Sequence, residues 1–561
     1  MAEISRMIPI LIELLSTIPL SNYILASGII FLTLLYNFLE WHIAGDILRG
    51  FQGDKVCLTF NEASEIYHNV ASKCRWLHSR YRVTPWLSSP HFQTAFINFL
   101  GNPPIFQYRR EIFHVDDGGI IALDWLLASD VGEGRSNAKE GISKEDIIPI
   151  VVVIPGLTSD SASPYLKHLV YKVAQEGWNV VVSNHRGLGG ISITSDYLYN
   201  AGWTEDFRVV INHLHQQYPT TPLFAIGTSI GANVLVKYLG EEGENTPISG
   251  AASVCSPWDL LICDRFITRK FMQRLYNTAL TIGLKGYAKL HQSLFTRLAD
   301  WDGIKRSRSV RDFDNYATCR VAKYETVDKY YRCCSSAHFV ENVSVPLLCI
   351  SALDDPLCTS EAIPWDECRG NKNIVLATTI HGGHLAFFQG IAANKLWWVG
   401  AVDEFLRVLH ASPHMHGKRK EEDNSLHSSI NGMEAGIFPD IGDGESINNL
   451  VNLSGSQVST TEQEARISDD QTQLSIVAPG KDQYPADEQV QTDKTDMKII
   501  RKMVGPMKKT LNQLSRKTSN SIWILAYIAI VTTWPFAGFI FSFIFKKKFK
   551  NILPKSVSHN Q

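Results

Sequence analysis

Leu223-Phe224-Ala225-Ile226-Gly227-Thr228-Ser229-Ile230-Gly231, running on into Ala232–Leu239, is the stretch on which the reading of this chain turns. Leu223–Gly227 is a short apolar run of buried-strand type, and Ala232–Leu239 has the composition and spacing of a helix. Between them Ser229 is flanked at two positions on either side by glycine. A serine on a sharp strand-to-helix turn needs such neighbours, because the tight backbone presses them against adjacent strands. The turn also directs the Ile230 amide and the helix N-terminus at an oxyanion that would form beside the serine. Ser229 is therefore the candidate nucleophile.

Working outward, the same alternation continues in both directions. Ile150–Ile154 is a β-branched strand run ending in Pro155-Gly156, with a helical stretch over Tyr165–Gln175. Trp178–Ser183 reads as a strand, Thr204–Gln217 as a helix, Ile248–Val254 as a strand. Continuous apolar strands separated by helices predict a mostly parallel sheet covered on both faces. Ahead of it, Phe106–His114 and Ile120–Leu126 flank Asp117-Gly118-Gly119 as a β-hairpin. From Trp258 to about Asn342 the pattern is helical without a strong strand, as for a cap inserted late in the sheet. The strands resume at Pro346–Ser351 and Ile374–Thr378, and a helix over Leu396–Leu409 closes the unit.

A serine hydroxyl needs a base, and the base needs an orienting acid. In the chain order Ser, acid, His, the acid is offered by Asp354-Asp355-Pro356 after one strand, the base by His381-Gly382-Gly383-His384 after the next. Asp355 is the preferred acid, with Asp354 as alternative. His384 is preferred over His381, because two glycines before it permit close approach to the turn. The second oxyanion donor is expected in Pro155-Gly156-Leu157-Thr158, at the Leu157 amide. His185-Arg186-Gly187-Leu188-Gly189-Gly190 lacks the lysine and spacing of a phosphate loop and reads as a turn shaping the pocket.

With these residues in hand, the chain resembles an α/β-hydrolase-domain family that includes plant embryogenesis-associated proteins, YheT-like hydrolases and yeast medium-chain ester synthase/esterases. The resemblance rests on Pro155-Gly156-Leu157-Thr158, Ser163-Pro164-Tyr165, Asn184-His185-Arg186-Gly187, the Ser229 turn, Asp312-Phe313-Asp314, Asp354-Asp355-Pro356 and Gly382-Gly383-His384. It implies an α/β-hydrolase fold with a helical cap, a Ser229–Asp355–His384 triad, and acyl-ester substrates such as monoacylglycerols, phospholipids or medium-chain esters. The H-x-x-x-x-D element associated with acyltransfer in some members has no counterpart here.

Composition bounds the remaining possibilities. The 561 residues are 45% apolar and 20% charged, with Lys+Arg 54 against Asp+Glu 56, so nothing global favours nucleic acid. Ten cysteines without a C-x-x-C pattern give no disulfide scaffold or zinc finger. Neither a metal nor a cofactor is expected. Charge-free stretches at 14–39 and 518–545, of 26 and 28 residues, are each long enough to cross a bilayer and are read as N- and C-terminal transmembrane helices. The organisation expected is thus an anchor at 14–39, a hydrolase domain at 105–410 with its cap at about 258–342, and a disordered linker at 411–496. A basic juxtamembrane segment at 498–517 and a second span at 518–545 complete it. The functional expectation is a membrane-anchored serine hydrolase of lipid or acyl esters, resident in the endoplasmic reticulum with its catalytic domain in the cytosol. The alternatives are a low-turnover receptor of the same fold or a membrane scaffold.

Overall fold

The structure is a computed structural model that describes residues 27–32, 35, 52–131 and 147–416. All belong to one compact unit, Met1–Phe438. Its frame is a nine-stranded sheet: β1 Cys57–Phe60, β2 Arg109–His114, β3 Ile120–Leu126, β4 Ile150–Ile154, β5 Asn179–Ser183, β6 Leu223–Thr228, β7 Ile248–Val254, β8 Leu347–Ala352 and β9 Ile374–Thr379. The spatial order is β1-β9-β8-β7-β6-β4-β5-β3-β2. The six strands from β5 to β9 in that order, β4 included, pair in parallel; the β2–β3 hairpin joins β5 antiparallel, and β1 joins β9 antiparallel at the other edge.

The apolar runs explain why these segments are central. Every residue of β4 is buried, Ile150, Val152 and Ile154 on one face of the sheet and Val151 and Val153 on the other. The two-residue period of a strand sends successive side chains to opposite faces, so an unbroken Ile/Val run is what a sheet covered on both sides requires. Each such side chain contributes about 1.5–3 kcal/mol on burial. Helices α2 (Pro164–Gln175) and α7 (Trp397–His410) cover one face, with Leu166, Val173, Trp397, Trp398 and Phe405 in the core. Helices α3 (Glu205–Gln217) and α4 (Ile230–Glu242) cover the other through Phe207, Val210, Leu235 and Tyr238.

The sheet reaches outside the 105–410 span. Residues 52–101 supply β1 and helix α1 (Pro90–Leu100), and Ile66, Val70, Leu77 and Tyr81 join the core under α7. This segment carries no sequence signal of its own because β1 is four residues long and pairs on one side only, with no fully buried residue.

The cap is helical. Helices α5 (Phe271–Leu290) and α6 (Val327–Cys334) are its longest elements, and Leu284, Tyr287, Phe295, Ile304 and Phe313 form an apolar cluster with Leu188, Leu198 and Tyr199 of the segment between β5 and α3. Asp312 closes a capping box with Ser309, and Asp314 opens a π-helical turn, where it accepts hydrogen bonds from Thr318 and Tyr331. Among the described residues no helix is long and apolar enough to cross a membrane. The expected span at 518–545 lies outside the described residues, as do the segments 417–496 and 498–517 and all of 14–39 except 27–32 and 35.

Candidate active site

Ser229 stands between β6 and α4 with φ +54° and ψ −121°, a left-handed backbone that a residue with a Cβ adopts only under strain. The two flanking glycines make that turn possible. A Cβ on Gly231 would lie 2.4 Å from the Pro155 carbonyl oxygen and 2.5 Å from that of Ile154; one on Gly227 would lie 2.5 Å from the Gly231 oxygen. Close packing of the elbow onto β4 thus excludes any larger residue at either position. Thr228 is buried and donates to the Ile154 carbonyl at 3.0 Å, tying the turn to the same strand.

The ends of β8 and β9 bring two further side chains to this turn. Ser229 Oγ lies 2.9 Å from His384 Nε2, and His384 Nδ1 lies 2.8 Å from Asp355 Oδ2. A carboxylate can only accept, so Nδ1 carries the proton and Nε2 is left to accept from the serine hydroxyl. Asp355 is buried, and its other oxygen accepts from the amides of Leu357 at 2.8 Å and Cys358 at 2.9 Å. Those amides hold the carboxylate in place.

The neighbouring pair is occupied separately. Asp354 accepts from the Gly383 amide at 2.9 Å and faces His381 Nδ1 at 3.3 Å. Burial raises the Asp354 pKa, with His381 and the Gly383 amide opposing. Geometry therefore separates an Asp354–His381 pair, which shapes the loop, from the Asp355–His384 pair, which meets Ser229.

The oxyanion candidates lie on either side of the serine. Ile230 opens α4, in the turn whose N–H groups have no intrahelical acceptor. In the β4 loop the Gly156 amide donates to Tyr165 Oη at 2.9 Å and the Thr158 amide to Tyr199 Oη at 3.2 Å. Leu157 sits between these pinned amides, and its own N–H meets no acceptor among the described residues. A Cβ on Gly156 would be 3.3 Å from Ser229 Cβ, which measures how closely this loop passes the nucleophile.

Two contributors are absent from the sequence reading. Thr94, on α1, accepts from the His384 amide at 2.9 Å and donates to the Pro90 carbonyl at 2.8 Å. Gly383 packs against the same helix with φ +58°, its missing Cβ leaving room for Pro90 O and Thr94 Oγ1. No motif marks Thr94, because its partner is 290 residues away. Cys255, left-handed at φ +52° after β7, brings a buried thiol against Asp355. One ligand-type atom each of Cys255, Asp355 and His384 falls within a 4.8 Å cluster. The carboxylate and imidazole atoms are already committed to each other and to Ser229, and burial pushes the thiol pKa well up, whereas a metal ligand must be a thiolate. This trio fits an orienting role better than a metal centre. The His185-Arg186 loop is structural: Arg186 is buried between Asp206, Asp117 and Ser195, and His185 stacks on Tyr199.

Residues 146–365 match the Hydrolase_4 family, serine aminopeptidase, S33. The chain is 34% identical over 346 residues to the embryogenesis-associated protein EMB8 of Picea glauca, an alignment covering 61% of this chain and 75% of that one. The chain belongs to this α/β-hydrolase family. It is also similar to the phospholipase ABHD3 of Homo sapiens, at 32% identity over 337 residues, 60% of this chain and 80% of that protein. A monoacylglycerol lipase of Saccharomyces cerevisiae is 28% identical over 377 residues, 60% and 82% of the two chains. The family expectation drawn from the Ser229, Asp355 and Gly-His384 motifs thus holds: the fold is that of the α/β-hydrolases, and the chain is a serine-hydrolase enzyme by family.

Proposed function

We propose that the chain is a membrane-anchored serine hydrolase that cleaves carboxylic esters of lipid or other acyl substrates, through Ser229, His384 and Asp355. The observation that carries this reading is the unbroken hydrogen-bonded series from the left-handed serine through the imidazole to a carboxylate held by two amides. Ser229 Oγ attacks the ester carbonyl while His384 Nε2 takes its proton. The imidazolium, steadied by Asp355, then protonates the leaving alcohol, and an acyl group remains on Ser229. Water activated by the same imidazole releases the acid; an alcohol in its place gives a new ester. The Leu157 and Ile230 amides stabilise the tetrahedral oxyanion, each by about 3 kcal/mol.

The acyl-ester class is supported by the relatives, named as a phospholipase and a monoacylglycerol lipase. The membrane anchor is supported by the charge-free stretches at 14–39 and 518–545. A cytosolic domain, as at the endoplasmic reticulum, accords with ten cysteines that are all free thiols. The test is turnover of monoacylglycerols and medium-chain esters by full-length protein and by Ser229→Ala in matched membranes. Sustained release of fatty acid by the wild type alone supports the reading; equal release by both removes Ser229 from the chemistry.

A further inference from the structure

Over its first three turns helix α5 presents the opposite faces from those of an ordinary surface helix, whereas its last turns bury Leu284, Tyr287 and Ala288 in the cap. Gln273, Asn277 and Thr281 are buried, while Phe271 is 61% exposed and Leu275 and Ile282 are each 39% exposed. Phe271, Leu275, Thr278 and Ile282 follow one another at intervals of four, three and four residues, which places them on one face. A helix that only covered a domain would turn its apolar stripe inward. The buried polar residues are engaged: Asn277 Oδ1 accepts from the Val310 amide, Thr281 donates to the Asn277 carbonyl, and Gln273 accepts from the Lys270 amide. The orientation is held by the Asn277–Val310 bond and by Leu284, Tyr287 and Ala288 packed in the cap; the Thr281 and Gln273 bonds satisfy those side chains within the helix itself.

The same helix lies against the loops that hold the reacting groups. A Cβ on Gly283 would be 3.1 Å from Thr158 Oγ1, in the loop that carries Leu157. Tyr276 stacks on His91 with ring centres 5.7 Å apart and donates to its carbonyl, one turn from Thr94. The outer face of α5 and the Ser229 site are thus separated by a single helix.

Charge selects the occupant of the outer face. α5 contains Arg274, Lys285 and Lys289 and no acidic residue. Beside it, Lys305-Arg306-Ser307-Arg308 adds three exposed cations, of which Lys305 pairs with Asp302. Thr278, Thr281, Ile282, Lys285, Ser307 and Arg308 line a groove of about 300 Å³. An apolar stripe with cations beside it suits a helix lying in the plane of an anionic bilayer. A second copy of the chain would bring the same positive charge to this face, and the Lys498–Lys517 stretch is basic as well.

We propose that α5 docks on an anionic lipid surface, with Phe271, Leu275 and Ile282 entering the acyl boundary and Arg306 and Arg308 meeting headgroup phosphates. This deepens the acyl-ester reading by naming where substrate is drawn from, and its activity arm rests on that reading. The ester is taken from the bilayer on which the cap rests, so bilayer and soluble substrates respond differently to changes in this face.

The test uses full-length protein in nanodiscs of phosphatidylcholine with and without phosphatidylserine. An environment-sensitive fluorophore is placed at Ile282→Cys in a background with the exposed Cys57 and Cys333 replaced by serine. Docking predicts a blue shift and quenching by bromolipid that require phosphatidylserine and are lost in Arg306→Glu/Arg308→Glu. An unshifted, unquenched label, or a shift that follows protein concentration and ignores lipid charge, overturns the proposal, the latter in favour of self-association. In the activity arm, Leu275→Glu/Ile282→Glu should lower hydrolysis of bilayer-embedded ester about ten-fold or more while changing that of a short soluble ester less than about two-fold. Equal loss on both substrates, or none on either, contradicts docking. A wild type that cleaves neither substrate refutes the hydrolase reading, and the fluorescence arm still decides docking.

Discussion

Thr94→Val tests how the segment ahead of residue 105 contributes to the site. Valine keeps the volume of threonine but removes the oxygen that accepts the His384 amide at 2.9 Å and donates to Pro90 O at 2.8 Å. Thr94 is buried, so that amide finds no replacement without moving the loop. A buried amide left without an acceptor costs about 1–3 kcal/mol. If the loop shifts to avoid that cost, the imidazole leaves its 2.9 Å approach to Ser229 Oγ. The same energy read as lost population of the competent arrangement is about 5- to 150-fold in kcat. Since Thr94 is assigned no contact with substrate, KM should stay within about two-fold, the sign of an interaction used in the chemical step only. Thr94→Ser, which keeps the oxygen, should restore most of kcat. The assay is steady-state hydrolysis of a short soluble ester by the two variants and the wild type. Wild-type kcat in Thr94→Val, or a serine variant as impaired as the valine one, would refute the argument.

Other changes separate further parts of the account. Asp355→Asn should lower kcat by about 10⁴-fold through loss of the imidazole's orienting carboxylate, whereas Asp354→Asn, which touches only His381 and the Gly383 amide, should cost about ten-fold or less; kinetics on one ester compares them directly. Gly231→Ala should destabilise the fold by about 3 kcal/mol or more in denaturant titration, because its Cβ would fall 2.4 Å from a backbone oxygen that cannot retreat from the sheet. Burial raises the Asp314 carboxyl to about 6, against the help of Thr318 and Tyr331. The folded state therefore holds a proton that the unfolded chain has released, and stability contributed below about pH 4 is lost as pH rises through about 6. The gap from the ordinary 3.8 corresponds to about 3 kcal/mol; the difference in stability between wild type and Asp314→Asn, from denaturant titrations at pH 4 to 7, should change by that order and in that direction.

The parts of the molecule that could be read from the chain are those in which one local pattern has one physical outcome. The β-branched Ile150–Ile154 and Trp178–Ser183 runs read as strands buried on both faces, and the two lie side by side in parallel. Gly227 and Gly231 implied a turn too tight for a side chain, and contacts of 2.4–2.5 Å give the reason. Asp355 and His384 were readable as strand-end residues; the competing Asp354 and His381 differ from them in sequence hardly at all, and only the loop geometry sends each acid to its own histidine. Contacts between remote segments left no such trace. Thr94 on His384 joins the first helix to the last loop, and β1 is a short half-exposed edge whose alignment on β9 depends on a completed sheet. The outward face of α5 left no trace for a related reason: nothing local to Phe271, Leu275 and Ile282 distinguishes them from core residues, and only the burial of Gln273, Asn277 and Thr281 turns them outward.

The central claim is that the left-handed Ser229 is an activated nucleophile, and covalent labelling addresses it most directly. Full-length protein treated with a fluorophosphonate and digested should carry the adduct on the peptide containing Gly227–Gly231, at Ser229, while Ser229→Ala stays unlabelled and Asp355→Asn reacts far more slowly. An adduct on another residue, or equal labelling of the wild type and Ser229→Ala, would contradict the account.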